Sequence, residues 1–361
     1  MRVMVVDDSA FMRRAIGDMI DSDPHLDVVH RARNGKEAVE RAIELRPDVI
    51  TLDIEMPEMD GLTALRMIRV KAKDPKPAIL MCSSLTTAGS HEAFKAMALG
   101  AADVIAKDHS TFSSKVDAMR DDLIAKIKAI GHARSRRSIR ASSPAAKAAA
   151  AAHTPIAEIT KLPRGIEALV IGSSTGGPPA LEKLLKPLPA DFPMPIVIAQ
   201  HMPALFTRSL AERLERLSDI TVEHVEETTR VRAGHAYLVV GGRHGRITKA
   251  LNGDLQVRVT DHPADAPYKP SVNELLLSAA ETLRSRAVAV VLTGMGDDGS
   301  VGAAKLKSAG AMVLAQDEAS SVVYGMPKAA AEVGATAEGT PSDLGAFLAR
   351  FAGSRASSHA A

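Results

Sequence analysis

The stretch "LVIGSSTGGPPALEKLL", residues 169–185, passes from an apolar run through small and hydroxyl residues into apolar teeth at Leu181, Leu184 and Leu185. Two chemistries fit such a turn. A glycine-rich entry to a helix can cradle an anion on free main-chain N–H groups, while Gly172, Ser174 and Gly176 also have the G-x-S-x-G spacing of a nucleophile elbow. A phosphate loop would continue into a lysine, but Pro178-Pro179 follows, and Gly172, Gly176 and Gly177 do not give the dinucleotide pattern G-x-G-x-x-G. A nucleophilic serine needs a base. "PIVIAQHMP" places His201 just past the next apolar run, and "VAVVLTGMGDDGS" places Asp297 and Asp298 past another. Serine, histidine and carboxylate on one rim form a hydrolase constellation, in which the imidazole takes the hydroxyl proton and the carboxylate fixes its tautomer. Main-chain N–H groups in "STGG" and "GMG", with Thr175 and Met295 as the candidates, would receive the developing oxyanion. The chain order Ser, His, Asp differs from the Ser, Asp, His order of α/β-hydrolases, so the elbow spacing imports no fold.

A second cluster lies near the start of the chain. Short apolar runs end in Asp7-Asp8, Asp53, Ser83-Ser84 and Lys107. Carboxylates converging on one edge repel one another unless a hard cation such as Mg²⁺ joins them, and Lys107 offsets further charge. A carboxylate beside Mg²⁺, a lysine and a hydroxyl is a phosphoryl acceptor, because metal and ammonium neutralise the transferring oxygens.

These residues need elements that bring them together. Before residue 125, β-branched runs near 2–7, 26–32, 48–52, 78–82 and 102–106 alternate with amphipathic stretches, which predicts an α/β domain with a parallel sheet and helices on both faces. In such a doubly wound sheet a site forms beyond the carboxyl ends of the strands. The alternation returns in "EALVIGS", "PIVIAQ" and "AVAVVLTG", with an antiparallel hairpin expected at "RITKALNGDLQVRVT" around Asn252-Gly253. Between them, from about Gly131 to Gly165, the Ala-, Ser- and Arg-rich sequence has no sustained apolar period. The expected division is a first domain over 1–125, a flexible linker over 126–164, a larger catalytic domain over 165–352 and a disordered tail over 353–361. Arg134, Arg136, Arg137 and Arg140 read as a solvated basic linker.

Composition excludes several functions. Forty-five Lys+Arg against 43 Asp+Glu give a net charge of +2, too balanced for a general nucleic-acid binder, and the absence of Trp weakens any base-stacking role. Cys82 is the single cysteine, so the chain holds neither an internal disulfide nor a thiolate zinc cluster, as suits a reducing cytoplasm. The apolar start is broken by Asp7 and Asp8, and no segment reaches about eighteen unbroken apolar residues. A soluble, unexported protein without membrane insertion is expected.

"VVDDSAFMRR", "DVITLDIEMPEMDGL", "ILMCSSLT" and "GAADVIAK" resemble the receiver domain of bacterial two-component response regulators. That resemblance implies that Asp53 accepts phosphate from a histidine kinase, that Asp7, Asp8 and Asp53 hold Mg²⁺, and that Ser83 and Lys107 sense the phosphoryl group. Two residues depart from the pattern: Val104 stands where a switch aromatic is common, and Asp108 where a proline often follows the lysine. "IGSSTGGPPAL", "AQHMPALFTRSLAERL", "GHAYLVVGG", "LTGMGDDG" and "AQDEASSVVYGMP" resemble the catalytic domain of the chemotaxis protein-glutamate methylesterase/glutaminase family. This implies a Ser174, His201 and Asp298 triad, with Asp297 outside it and no cofactor for the hydrolysis. It also implies a substrate: glutamate methyl esters and glutamines on the cytoplasmic helices of chemoreceptors. The motifs specify chemistry and leave open whether the receptors serve chemotaxis or another signalling system. A transcription factor is the other familiar output of a receiver, but neither a helix-turn-helix nor a basic face is present.

Overall fold

In the computed structural model, the β-branched runs form strands and the amphipathic stretches between them form helices. The structure describes residues 1–84, 86–107, 113–142, 154–160 and 163–356. They divide into two units, Met1–Lys147 and Ala148–Ala361.

The first unit alternates β1 (Arg2–Val6), α1 (Ala10–Asp21), β2 (Asp27–Ala32), α2 (Gly35–Leu45), β3 (Val49–Asp53), α3 (Gly61–Lys71), β4 (Ala78–Ser84), α4 (Thr87–Ala98), β5 (Asp103–Lys107) and α5 (Ser113–Ser142). The helix starts are written locally: Ser9, Asn34, Asp60 and Thr86 each accept a main-chain N–H of the first turn that follows. The strands pair in parallel in the order β2-β1-β3-β4-β5. Helices cover both faces, so Val3, Met4, Val5, Ile50 and Leu52 are fully buried. The order reverses between β1 and β3, and the crevice of a doubly wound sheet forms there. Asp7 and Asp53 leave the sheet at that crevice.

Helix α5 corrects the expected linker, because it continues past residue 125 to Ser142. Leu123, Ile127, Ile130 and Ala133 are buried along one face, a helical spacing that the surrounding Ser and Arg obscure. Arg134 is not a solvated linker residue. Its guanidinium donates to Asp48 Oδ1 at 2.8 Å and to the Lys76 and Pro75 carbonyls. The other end of the expected linker belongs to the second unit, where the Thr154 carbonyl accepts the Glu338 N–H and Ile156 is buried. Residues 143–153 and 161–162 of the linker, 357–361 of the tail and Asp108 lie outside the described residues. Residues 353–356 of the expected tail are the end of the helix Pro341–Ala356.

The second unit holds β6 (Ala168–Ser173), β7 (Ile196–Gln200), β8 (Thr221–Val225), β9 (Thr229–Arg230), β10 (His235–Val239), β11 (His244–Lys249), β12 (Leu255–Thr260), β13 (Ala287–Val291), β14 (Met312–Gln316) and β15 (Ala337–Gly339). Seven pair in parallel in the order β15-β14-β13-β6-β7-β10-β8. The chain leaves β6 toward β7 on one side and later returns to β13 on the other, which makes the carboxyl end of β6 a switch point. The expected hairpin is β11–β12, antiparallel, with Gly253 at φ +87° in its turn; β9 completes this small sheet. Among the described residues no helix is long and apolar enough to cross a membrane.

Candidate active site

The register of the large sheet brings Ser174 and His201 to one rim. Ser173 pairs with Gln200 across β6 and β7, so each candidate follows its strand by one residue. The His201 N–H donates to the Ser173 carbonyl and the Ser174 N–H to the Thr293 carbonyl, both at 3.0 Å, which ties the exits of β6, β7 and β13 together. The buried Gln200 amide locks the junction. It accepts from Ser173 Oγ at 2.6 Å and donates to the Ser174 carbonyl at 2.9 Å. Gly176 sits at φ +77° before the helix Gly177–Leu185, a conformation costly for an L side chain. A Cβ on Gly294 would lie 2.8 Å from Ser174 Cβ and 2.3 Å from Met326 Sδ, so only glycine lets this turn press against the serine.

Asp298 is buried, and His201 Nε2 lies 2.8 Å from its Oδ2. The carboxylate caps the helix Val272–Thr282. Oδ2 also accepts the Val272 N–H at 2.7 Å, while Oδ1 accepts the Asn273 N–H at 2.8 Å and Ser271 Oγ at 3.0 Å. Burial alone would raise its pKa, but the His201 contact and the two helix amides outweigh it and hold the carboxyl below its ordinary value. Asp298 therefore stays ionised. Asp297 is exposed, and its carbonyl accepts the Ser300 N–H.

An ionised carboxylate can only accept, so His201 Nε2 carries a proton, and in the neutral ring Nδ1 carries the lone pair. Nδ1 is buried and has no hydrogen-bond partner among the described residues. Ser174 Oγ and Nδ1 are not hydrogen-bonded to each other; such contacts are often long without substrate and tighten in the Michaelis complex. Tyr268 stacks on the imidazole with centroids 4.3 Å apart and planes 10° from parallel, so the ring is held by its edge and by its face. Thr175 follows the serine in its turn and is buried, its carbonyl accepting from Thr293 Oγ1 at 2.9 Å. Met295 follows Gly294, and among the described residues no main-chain acceptor takes its N–H.

Gln200, Ser271 and Tyr268 were not singled out by the sequence. Gln200 had a signal, as a polar residue ending a fully apolar strand. Ser271 had one as well, the S-x-x-E capping pattern that it forms with Glu274 ahead of an apolar run, whereas Tyr268 had none, since it belongs to a segment without periodicity.

In the first unit, Asp7, Asp8 and Asp53 bring carboxylate oxygens within 4.8 Å of one another. They line a cavity of about 790 Å³ together with Ser83 and Lys107. Lys107 Nζ stands 2.7 Å from Asp7 Oδ2 and 2.6 Å from Asp53 Oδ1. Burial raises the Asp53 pKa and the Asp7 charge adds to it, against the lowering effect of Lys107. Burial would lower Lys107, but its bonds to Asp53 and Asp7 prevail and raise it, so the ammonium stays charged. Three acidic groups against one ammonium form a seat of oxygen donors with excess negative charge, which fits a hard divalent cation. Ser83 is buried beside it and donates to the Gly89 carbonyl at 2.9 Å.

Residues 169–348 match the family model described as CheB methylesterase, and residues 3–114 match the response regulator receiver domain. Protein-glutamate methylesterase/protein-glutamine glutaminase 1 of Oleidesulfovibrio alaskensis is 46% identical over 350 residues, covering 92% of this chain and 94% of that protein. Protein-glutamate methylesterase/protein-glutamine glutaminase 2 of Nitratidesulfovibrio vulgaris is 44% identical over 347 residues, covering 92% and 94%. Among solved structures, the CheB methylesterase catalytic domain of Thermotoga maritima is 40% identical, covers 51% of this chain and 98% of its own, and has a TM-score of 0.49.

Proposed function

Because this chain belongs to the protein-glutamate methylesterase/protein-glutamine glutaminase family, with a receiver domain ahead of a methylesterase domain, we propose that Ser174 hydrolyses glutamate methyl esters and glutamine amides on chemoreceptor cytoplasmic helices. The observation that supports this best is the His201 ring, bound to an ionised Asp298 through Nε2 and presenting a buried Nδ1, without a hydrogen-bond partner among the described residues, on the rim that carries Ser174.

In this reading Nδ1 takes the Ser174 proton as Oγ attacks the side-chain carbonyl carbon. The Thr175 and Met295 N–H groups receive the oxyanion. Collapse breaks the bond to the leaving group, which takes the proton from Nδ1 and departs as methanol or ammonia. Water, deprotonated by the same nitrogen, then cleaves the acyl-serine and leaves a glutamate. Asp298 stabilises the imidazolium formed in each half. Only side chains and main-chain amides serve the hydrolysis. Methanol release from methylated receptor membranes, set against ester hydrolysis on unrelated proteins, tests the substrate class. Equal rates on both would overturn the receptor assignment.

In the first unit Asp53 is the proposed acceptor of phosphate from a histidine kinase. Asp7, Asp8 and Asp53 would hold Mg²⁺, which supplies charge neutralisation for the transferring oxygens. Lys107 and Ser83 then engage the phosphoryl group. The tandem arrangement supports control of the hydrolysis in the cytoplasm by phosphorylation of the receiver, which restrains the second unit until Asp53 is phosphorylated. Removing residues 1–150 is expected to raise basal methylesterase activity. Asp53→Ala in the full chain is expected to stay at the basal rate and ignore a small phosphodonor with Mg²⁺. With Val104 in place of the switch aromatic, phosphodonor activation of the full chain should be partial, about tenfold or about 1.4 kcal/mol. Equal basal rates for full and truncated chains would rule out restraint by the receiver.

A further inference from the structure

His244, the first residue of β11, lies outside the proposed triad and is fully buried. Both of its ring nitrogens are used. Nε2 lies 3.1 Å from the Pro263 carbonyl, which can only accept, and Nδ1 lies 3.1 Å from the Ser271 N–H, which can only donate. The partners therefore dictate one neutral tautomer, protonated on Nε2. A leucine could fill the same volume without burying two polar atoms, so packing does not account for a histidine here.

Its two partners stand at opposite ends of one segment, 263–271, and that segment supplies both further restraints on the catalytic histidine. Tyr268 stacks on His201, and Ser271 Oγ donates to Asp298 Oδ1 while accepting the Glu274 N–H at the helix start. We infer that His244 is a positioning residue, which clamps the 263–271 segment so that Ser271 fixes Asp298 and Tyr268 fixes the plane of His201. The inference rests on the assignment of His201 and Asp298 as the working pair. Burial lowers the His244 pKa, against the raising effects of the Pro263 bond, Glu274 and Asp298, with Lys269 adding to the lowering, so the clamp keeps the neutral form it needs.

A displacement of about 1 Å in a catalytic group can cost on the order of 10²-fold. In the full-length chain, His244→Leu is therefore expected to lower kcat for methanol release by about ten- to a hundredfold, with KM within about twofold. Asn places an acceptor near the position of Nδ1, whereas Gln places a donor near that of Nε2. His244→Asn should recover most of the loss and His244→Gln less. If His244 acts through Ser271, the losses of His244→Leu and Ser271→Ala should combine to less than their product, as expected for coupled neighbours. Should the Leu variant fail to fold, the order Asn above Gln, read on folded protein, carries the test. A folded Leu variant within about twofold of wild type, fully multiplicative losses, or Gln equal to or above Asn would each overturn the inference. Ser174→Ala, run alongside, separates the two levels. If it stays active the triad assignment itself fails, and if it is inactive while His244→Leu is not, only the clamp fails.

Discussion

Asp298→Asn is expected to leave the chain folded and to lower turnover about 10⁴-fold, the loss known when a serine-protease triad carboxylate becomes an amide. Every group around this carboxylate donates to it: His201 Nε2, the Val272 and Asn273 amides and the Ser271 hydroxyl. An asparagine can satisfy only one side. With its NH₂ in the place of Oδ2, the Val272 N–H loses its acceptor and His201 must turn Nε2 into an acceptor, which moves the proton to Nδ1 and removes the base. With the NH₂ on the other side, the Asn273 N–H is left without an acceptor, and such a buried orphan costs about 1–3 kcal/mol. Either orientation orphans one helix amide, so stability should fall modestly, and in both the imidazolium loses its anionic partner, so kcat collapses. Exposed Asp297 contributes no side-chain bond to the ring, so Asp297→Asn should stay within about twofold of wild type. The measurement is methanol release at saturating substrate for both variants, with thermal unfolding as a control. A reversal of their severities would reassign the acid of the triad.

Ser174→Ala should have the larger effect on rate and almost none on stability. Loss of the nucleophile in a serine hydrolase is known to cost about 10⁶-fold in kcat. What survives is the contribution of the oxyanion donors and substrate binding, roughly 10³–10⁴-fold over water. The Ser174 main chain supplies its structural bonds, to Thr293, Gly177 and Gln200, and alanine keeps all of them. Phosphorylation of Asp53 should proceed unchanged, since its carboxylate cluster and Lys107 belong to the other unit. Methanol release and Asp53 phosphorylation measured on the same preparation check both halves. A variant within about twofold of wild type in methanol release would exclude Ser174 as nucleophile.

Local chemistry in the sequence carried much of the architecture. β-branched runs gave the strands, Asn252-Gly253 gave the hairpin, and the residues proposed to carry the chemistry stand just past the strand ends because a parallel sheet delivers them to one edge. The choice of Asp298 over Asp297 rests on family resemblance alone; in the structure the Asp298 side chain meets His201 and the helix N-terminus while its neighbour faces solvent. What stayed hidden depends on distant partners. The extension of α5 is fixed partly by Arg134 reaching Asp48, 86 residues away, and no local pattern announces that pairing. Tyr268 and His244 act through a segment with no regular structure, where neither periodicity nor propensity distinguishes a clamp from a loop. Which imidazole nitrogen meets the carboxylate likewise follows from the approach of β7 to the helix Val272–Thr282, a tertiary fact.

The central claim, a covalent route through Ser174, is tested most directly by trapping the acyl-enzyme. The chain is mixed with a peptide carrying a glutamate methyl ester, quenched in acid during turnover, digested and weighed fragment by fragment. The account predicts the peptide acyl mass on the fragment containing Ser174 in the wild-type chain and no such mass in Ser174→Ala. The same mass on a fragment lacking Ser174, or on the Ser174→Ala chain, would contradict it.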